Sequence, residues 1–195
     1  MKLEEIKLEL EHFMTPGRYI HAINVMNCAA ELASRYGVSK EKAAVAGLLH
    51  DCVKDLPRGE ILRLCDEYGV EVDDVSLMQP ELLHGPLGAR IAREEYGIED
   101  ESVLKAIRSH TTGEADMDML AKITYLADYI EPDRRFPGVD DIRRAAFRDI
   151  DSAMVMALNR TIKHVIAKGA LIHPATIAAR NSMILSLKKR AEGLG

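Results

Sequence analysis

Two positions in this chain place an acidic side chain where the surrounding residues call for an apolar one. In AAVAGLLHDCV, His50 and Asp51 interrupt a run that otherwise reads as buried helix, and in ITYLADYI the carboxylate of Asp128 stands alone among aliphatic and aromatic neighbours. A buried carboxylate is heavily penalised unless something positive compensates it. A metal ion would serve at both positions. So would a helix-end cap or ion pair for Asp51 and a buried salt bridge for Asp128, and neither segment alone decides between them.

Histidines supply the second half of the pattern. His21 lies mid-helix in RYIHAINV, with Arg18 one turn before it and Val25 one turn after, so a base, a ligand and a core contact share one face. His84 sits in LLHGPLGA, where Gly85 and Gly88 leave room beside the imidazole for another backbone or a ligand. His110 falls at a helix end in AIRSHTTG, and Thr111, Thr112 and Gly113 beyond it offer hydroxyl and backbone donors suited to phosphate oxygens. Each alone would pass for an ordinary structural histidine. With His50, Asp51 and Asp128 they make a set of six.

Six imidazole and carboxylate ligands exceed what one tetrahedral ion uses and suit two ions joined by a bridging carboxylate, for which Asp51 is the choice. Nitrogen and oxygen ligation without thiolate favours iron, manganese, cobalt or zinc over magnesium. The chemistry such a pair performs is hydrolysis by metal-bound hydroxide. Lys54 follows His50 by four residues and shares its face, Arg18 points the same way as His21, and Arg134 and Arg135 in IEPDRRFPGV extend a basic rim able to clamp phosphate. Solvated surface charge is the competing reading of each.

The remaining candidates carry less. His12 and His164 have no neighbouring feature that demands a ligand and are read as structural. The three cysteines, Cys28, Cys52 and Cys65, are odd in number and form no CxxC pair, which argues against a disulfide framework or a thiolate zinc site and for small buried residues. No serine or cysteine has a matched base or a G-x-S-x-G elbow, so covalent catalysis finds no support.

The elements that must hold these residues are helical. Apolar residues recur at three and four, Gly and Pro punctuate the segments, and no alternation marks a strand. Thr15 can cap a helix with Pro16 in its first turn that runs to Tyr36, where Gly37 supplies the left-handed stop, and Ser39 can cap the next, Lys40 to Val53. Further helices are predicted over 59–68, 80–96, 100–110, 117–130, 140–149, 151–168 and 174–192. The N-terminal MKLEEIKLELEHF is acidic and amphipathic. Met154, Met156 and Met183 would fill core or, alternatively, a homodimer contact.

A length of 195 residues fits one domain. The net charge of -5 offers no general pull toward nucleic acid, although a basic pocket is compatible with it. With no basic n-region, apolar h-region or bilayer-length span, the expectation is a soluble, cytoplasmic protein without membrane contact.

The order H…HD…H…H…D, with Lys54 three places after the aspartate of the HD pair, resembles the HD-domain metal-dependent phosphohydrolases. RYIHAINV, KAAVAGLLHDCVKD, LLHGPLGA, AIRSHTTG, ITYLADYIEPDRRFPG and KGALIHPATIAARN together resemble the YqeK family of bacterial symmetrical diadenosine tetraphosphate hydrolases over most of the chain. That resemblance implies a single all-α HD domain over 1–195, with the HD core at about 16–135 and C-terminal helices at about 140–192. It implies symmetrical cleavage of diadenosine tetraphosphate to two ADP at a di-iron centre of His21, His50, Asp51, His84, His110 and Asp128. It also implies that Arg18, Lys54 and Arg134 contact phosphates and that the loop of Gly169, Ala170, Leu171 and Pro174 lies near a nucleoside. Cys52, Ala121, Thr124 and His173 depart from the family pattern without removing a ligand and bear on metal preference and base selectivity. Two rivals are an HD phosphohydrolase of mononucleotides or nucleoside triphosphates, and a helical module that senses nucleotide or metal without turnover.

Overall fold

The structure is a computed structural model that describes residues 2–193. Among the described residues every regular element is helical: α1 (Leu3–Phe13), α2 (Pro16–Tyr36), α3 (Lys40–Leu49), α4 (Arg58–Glu67), α5 (Asp74–Met78), a 3-10 turn (Pro80–Leu83), α6 (His84–Glu94), α7 (Glu101–Ser109), α8 (Met119–Ile130), α9 (Val139–Arg148), α10 (Ile150–Ala167) and α11 (Pro174–Ala191). The all-α class expected from the apolar spacing is the class observed. Among these residues no helix is long and apolar enough to cross a membrane.

Helices α2, α3, α7 and α8 form the centre, with α6 against α7 and the pair α10 and α11 closing over α8. The core is filled by Leu32, Leu48, Leu49, Ile107, Ile123, Leu126, Met154 and Leu158, each almost wholly removed from water. Each such side chain contributes roughly 2 kcal/mol through burial, so the central helices are held far more firmly than their short lengths would allow in isolation. Met154 and Met183 are core, and Met156 is partly exposed. A smaller cluster of Val53, Ile61, Cys65, Leu83 and Leu87 anchors α4 beneath α6.

Two glycines permit close approach. A Cβ on Gly47 would lie 3.0 Å from the Met26 Cα, so α3 presses directly on the α2 backbone. A Cβ on Gly85 would lie 2.7 Å from the Arg108 carbonyl oxygen, which seats the first turn of α6 on the last turn of α7. Of the space expected beside His84 for another backbone or a ligand, the part at Gly85 is taken by the α7 backbone, while Gly88 faces the Cys52 sulfur at 3.5 Å.

Helix ends differ from the sequence reading where polar side chains redirect the chain. Gly37 is left-handed with φ 67° and Ser39 accepts from the Lys42 amide, both as expected. Thr15 occupies the cap position of α2, but its hydroxyl donates to Asp55 at 2.9 Å and not to the helix. The helix expected to reach Val53 ends at Leu49, where the amides of Cys52, Lys54 and Leu56 turn to carbonyls three residues back. The single helix expected over 80–96 begins as a 3-10 turn and becomes α-helical only at His84.

Candidate metal centre

His50 and His110 are the residues that terminate α3 and α7, and His84 stands at the junction between the 3-10 turn and α6. In all three the imidazole Nδ1 donates to the carbonyl three residues back: Gly47 at 2.7 Å, Glu81 at 2.5 Å and Ile107 at 2.7 Å. The last carbonyls of a helix lack intrahelical partners, and a histidine at the cap satisfies one of them. A carbonyl can only accept, so each Nδ1 carries a hydrogen and each Nε2 is the atom turned to the site, where it offers a lone pair to a metal ion or, when the imidazole is protonated, donates to a carboxylate. His21, from the middle of α2, reaches the same state by another route, since its Nδ1 donates to the buried Glu131 carboxylate at 3.3 Å.

These four lone pairs converge. The Nε2 atoms of His21 and His50 lie 3.2 Å apart, and those of His84 and His110 2.9 Å apart. Asp51 stands between the two pairs. Its Oδ2 is 3.4 Å from His50 and 3.8 Å from His21, and its Oδ1 is 3.1 Å from His84 and 3.4 Å from His110. Asp128, in the last turn of α8, brings Oδ1 to 3.1 Å from His21 and 3.7 Å from His50. Three overlapping groups result, namely His21, His50 and Asp51; His50, His110 and Asp128; and Asp51, His84 and His110, with ligand atoms within 4.8 Å of one another in each.

The donor set fits transition-metal ions. Lone pairs and carboxylate oxygens turned on one another in a buried space repel unless cations lie between them. The ends of α3 and α7 add the partial negative charge of their C-termini. Charge in the site is graded to match. Burial acts to raise the Asp51 carboxyl, but the positive field of His50 and hydrogen bonds from His110, His50 and His84 hold it far below the usual carboxylate range. Asp128 is held low in the same manner, with His21 as the hydrogen-bond donor and His50 and Arg134 adding charge. Burial pushes the His84 imidazole down from 6.5 to about 4, opposed by the hydrogen bond to Asp51 and assisted by His110 and Lys54, so it is neutral and free to ligate. The thiols of Cys28 and Cys52 are pushed up to about 12, chiefly by burial, and do not supply thiolate.

Three cations edge the cluster. Arg18 donates from Nη1 to Asp51 at 2.5 Å and from Nε to Asp55 at 3.2 Å. Arg134 donates to both the carboxylate and the backbone carbonyl of Asp128. The Lys54 ammonium lies 2.9 Å from the His84 Nε2, and burial lowers its pKa. Arg135 departs from the sequence reading, because it folds back onto the Pro132 carbonyl and contributes nothing to the rim.

A cavity of about 380 Å³ opens on His84, His110 and Asp128, with Lys54 and Arg134 at its edge. His164, read from the sequence as structural, lines its far wall. Gly169, Ala170, Leu171 and Pro174 do not line it; Leu171 instead exchanges two hydrogen bonds with Gln79, at 2.7 and 3.1 Å. Of the hydroxyls expected beyond His110, Thr111 lies 3.0 Å from the His84 Nε2 and 3.1 Å from that of His110, whereas Thr112 turns away to the Gly113 carbonyl. Glu131 was not found by sequence reasoning. Its signal was a glutamate three residues after Asp128 at the close of an apolar helix, where it also accepts from Asn24 at 3.2 Å and from the Asp133 amide at 2.7 Å.

Comparison with known proteins agrees with this geometry. The HD domain family matches residues 18–133. The chain is 44% identical over 175 residues to the symmetrical bis(5'-nucleosyl)-tetraphosphatase of Halalkalibacterium halodurans, covering 90% of this chain and 93% of that one. It is 37% identical over 184 residues to the protein of the same description from Bacillus subtilis, covering 94% and 98%. Among solved structures it is similar to a Clostridium acetobutylicum protein described as a predicted HD superfamily hydrolase involved in NAD metabolism, with a TM-score of 0.92, 44% identity and coverage of 95% of this chain and 98% of that one. A buried cluster of four imidazole lone pairs and two carboxylates, carried on a chain of this ancestry, belongs to a metal-dependent hydrolase, and the chain is a member of the HD-domain family of symmetrical bis(5'-nucleosyl)-tetraphosphatases.

Proposed function

We propose that the chain hydrolyses diadenosine tetraphosphate at its central bridge to give two ADP, using two transition-metal ions, iron by preference, held by His21, His50, Asp51, His84, His110 and Asp128. The observation that supports this most strongly is the orientation of the four imidazoles, each with Nδ1 spent on a carbonyl or carboxylate and Nε2 left to face Asp51. Asp51, with one oxygen toward each histidine pair, would be shared by the two ions, and Asp128 would complete the side of His21 and His50. When bound, the ions supply Lewis acidity to phosphoryl oxygens and bring the pKa of water toward about 7.

The chain's own residues do the rest. Arg18, Lys54 and Arg134 surround the cluster on its open side and neutralise the non-bridging oxygens of the tetraphosphate, whose negative charge would otherwise keep a nucleophile away. On binding, the phosphates take over the arginine and lysine contacts now made to Asp51, Asp128 and His84. Glu131 keeps the His21 lone pair directed at the site. Water adds to one inner phosphorus, the bond to the central bridging oxygen breaks, and the second ADP leaves on that oxygen, the two hydrogens of the water passing to the new terminal phosphates of the two ADP and, as these ionise, to solvent.

Product analysis tests the proposal. Metal-loaded protein incubated with diadenosine tetraphosphate is expected to yield ADP alone. AMP with ATP would mean attack at an outer phosphorus and would overturn it. Turnover confined to mononucleotides or nucleoside triphosphates, or tight nucleotide binding without product, would put one of the rival readings in its place.

A further inference from the structure

We infer that the wall of the cavity formed by Tyr129, Phe136, Arg160 and His164 is a nucleoside site that receives one of the two bases of the substrate. The inference rests on the proposed reaction and adds to it residues outside the metal cluster and its phosphate-binding cations. A dinucleoside tetraphosphate cut at its middle must place its phosphates at the metals and carry a nucleoside away from them. The only groups within a nucleotide that call for a stacking surface are its bases.

The cavity has two chemically distinct ends. One end is His84, His110, Asp128, Lys54 and Arg134, which suits phosphate. The other is aromatic. Tyr125 and Tyr129 are stacked with centroids 6.2 Å apart and planes 9° from parallel, and Phe136 meets Tyr129 edge to face at 5.4 Å. The Arg160 guanidinium lies over the Phe136 ring, 4.3 Å from its centre, which is where a planar π-system stacks. A purine base can take that place or extend the stack on the outer face of the guanidinium. His164, one turn on from Arg160 along α10, is exposed at the mouth and offers a ring nitrogen to the base edge or ribose. A volume of about 380 Å³ is at the scale of a site for one nucleoside with its nearest phosphates.

Tyr129 and Phe136 also pack against the core, but that packing does not require Arg160 or His164 beside them. Phe136 and Arg160 are half-buried and His164 is exposed, yet they converge on the same opening as the metal cluster. A solvent-facing stripe of α10 between Met154 and Ala167 would be expected to carry scattered charge without an aromatic partner.

The test is the kinetics of Phe136→Leu and Arg160→Ala as metal-loaded full-length protein. Phe136→Leu keeps most of the side-chain volume and removes the aromatic face, and Arg160→Ala guards against a folding defect in the first variant. Loss of base stacking on this wall is expected to raise KM for diadenosine tetraphosphate by about 5- to 140-fold, the range that stacking free energies imply. The value of kcat, the metal content and inhibition by inorganic pyrophosphate should stay as in the wild type, because only uniform binding of the nucleoside is removed. Unchanged KM in both variants would overturn the inference, as would a parallel loss of pyrophosphate inhibition, which would assign the wall to phosphate. If the wild type forms no ADP, the proposed reaction fails separately, and equilibrium binding of the then intact dinucleotide to the same three proteins reads the wall directly. Equal affinity in all three would overturn the inference in that case too.

Discussion

Replacing Glu131 by glutamine removes one charge and almost no volume, yet the structure makes it a change of metal affinity. The carboxylate is buried and accepts from three donors: His21 Nδ1 through Oε1, and Asn24 and the Asp133 amide through Oε2. A glutamine has one acceptor oxygen. Placed where it serves the two donors at the Oε2 position, it must turn its NH₂ toward His21 Nδ1, which can then only accept. The hydrogen moves to Nε2, the atom that faces His50 and Asp128, and the lone pair that would bind metal is lost. The opposite rotamer keeps His21 but sets two N–H groups against an NH₂ in a buried site, at a cost of about 1–3 kcal/mol. Partners of ligating histidines typically tune metal affinity by about 10- to 100-fold, or about 1.4–2.7 kcal/mol. The expected result for Glu131→Gln is therefore a loss of that size at the ion held by His21 and His50, with the ion held by Asp51, His84 and His110 retained. Metal titration of stripped protein followed by elemental analysis measures both. Wild-type affinity and stoichiometry in Glu131→Gln would refute the reasoning that Glu131 fixes the His21 tautomer.

Three further outcomes follow from the same geometry. Gly85→Ala drives a Cβ against the Arg108 carbonyl at 2.7 Å and should cost about 1–3 kcal/mol by thermal melting with loss of turnover, while Gly88→Ala, whose nearest neighbour is the Cys52 sulfur at 3.5 Å, should be tolerated. In metal-stripped protein, His84 titrates at about 4 when folded and near 6.5 when unfolded, so between those values the unfolded chain binds the extra proton and stability falls as pH is lowered. Urea midpoints at pH 7 and 4.5 should show a drop from this source that is absent in His84→Gln. Lys54→Ala removes an ammonium beside His84 and should lower kcat by about 100-fold or more with both metals in place, a value checked by steady-state assay alongside metal content.

The fold was legible because core spacing and punctuation agreed: α2 runs from Pro16 to the left-handed Gly37 that its sequence announces. The six clustered residues were legible because His50, Asp51 and Asp128 violate that same spacing. The reason the violations are tolerated was not, since it lies in three dimensions. Nothing in LLHDC or AIRSH says that the imidazole will cap its own helix and so free Nε2. Glu131 was passed over because its partner, His21, is distant in sequence. His164 was read as structural and Arg160 was not singled out, because the aromatic wall they face comes from α8 and from Phe136, just beyond it. Arg135 illustrates the converse error, a neighbour of Arg134 whose side chain returns to its own backbone.

The most direct test of the central claim is ADP formation from diadenosine tetraphosphate by Asp51→Asn, assayed with metal in excess and beside the wild type. Asp51 alone reaches all four histidines, so without its second charged oxygen the two halves of the cluster no longer share a ligand. The expected result is two ADP per substrate from the wild type and none above background from the variant. ADP formation by Asp51→Asn at the wild-type rate would contradict the account.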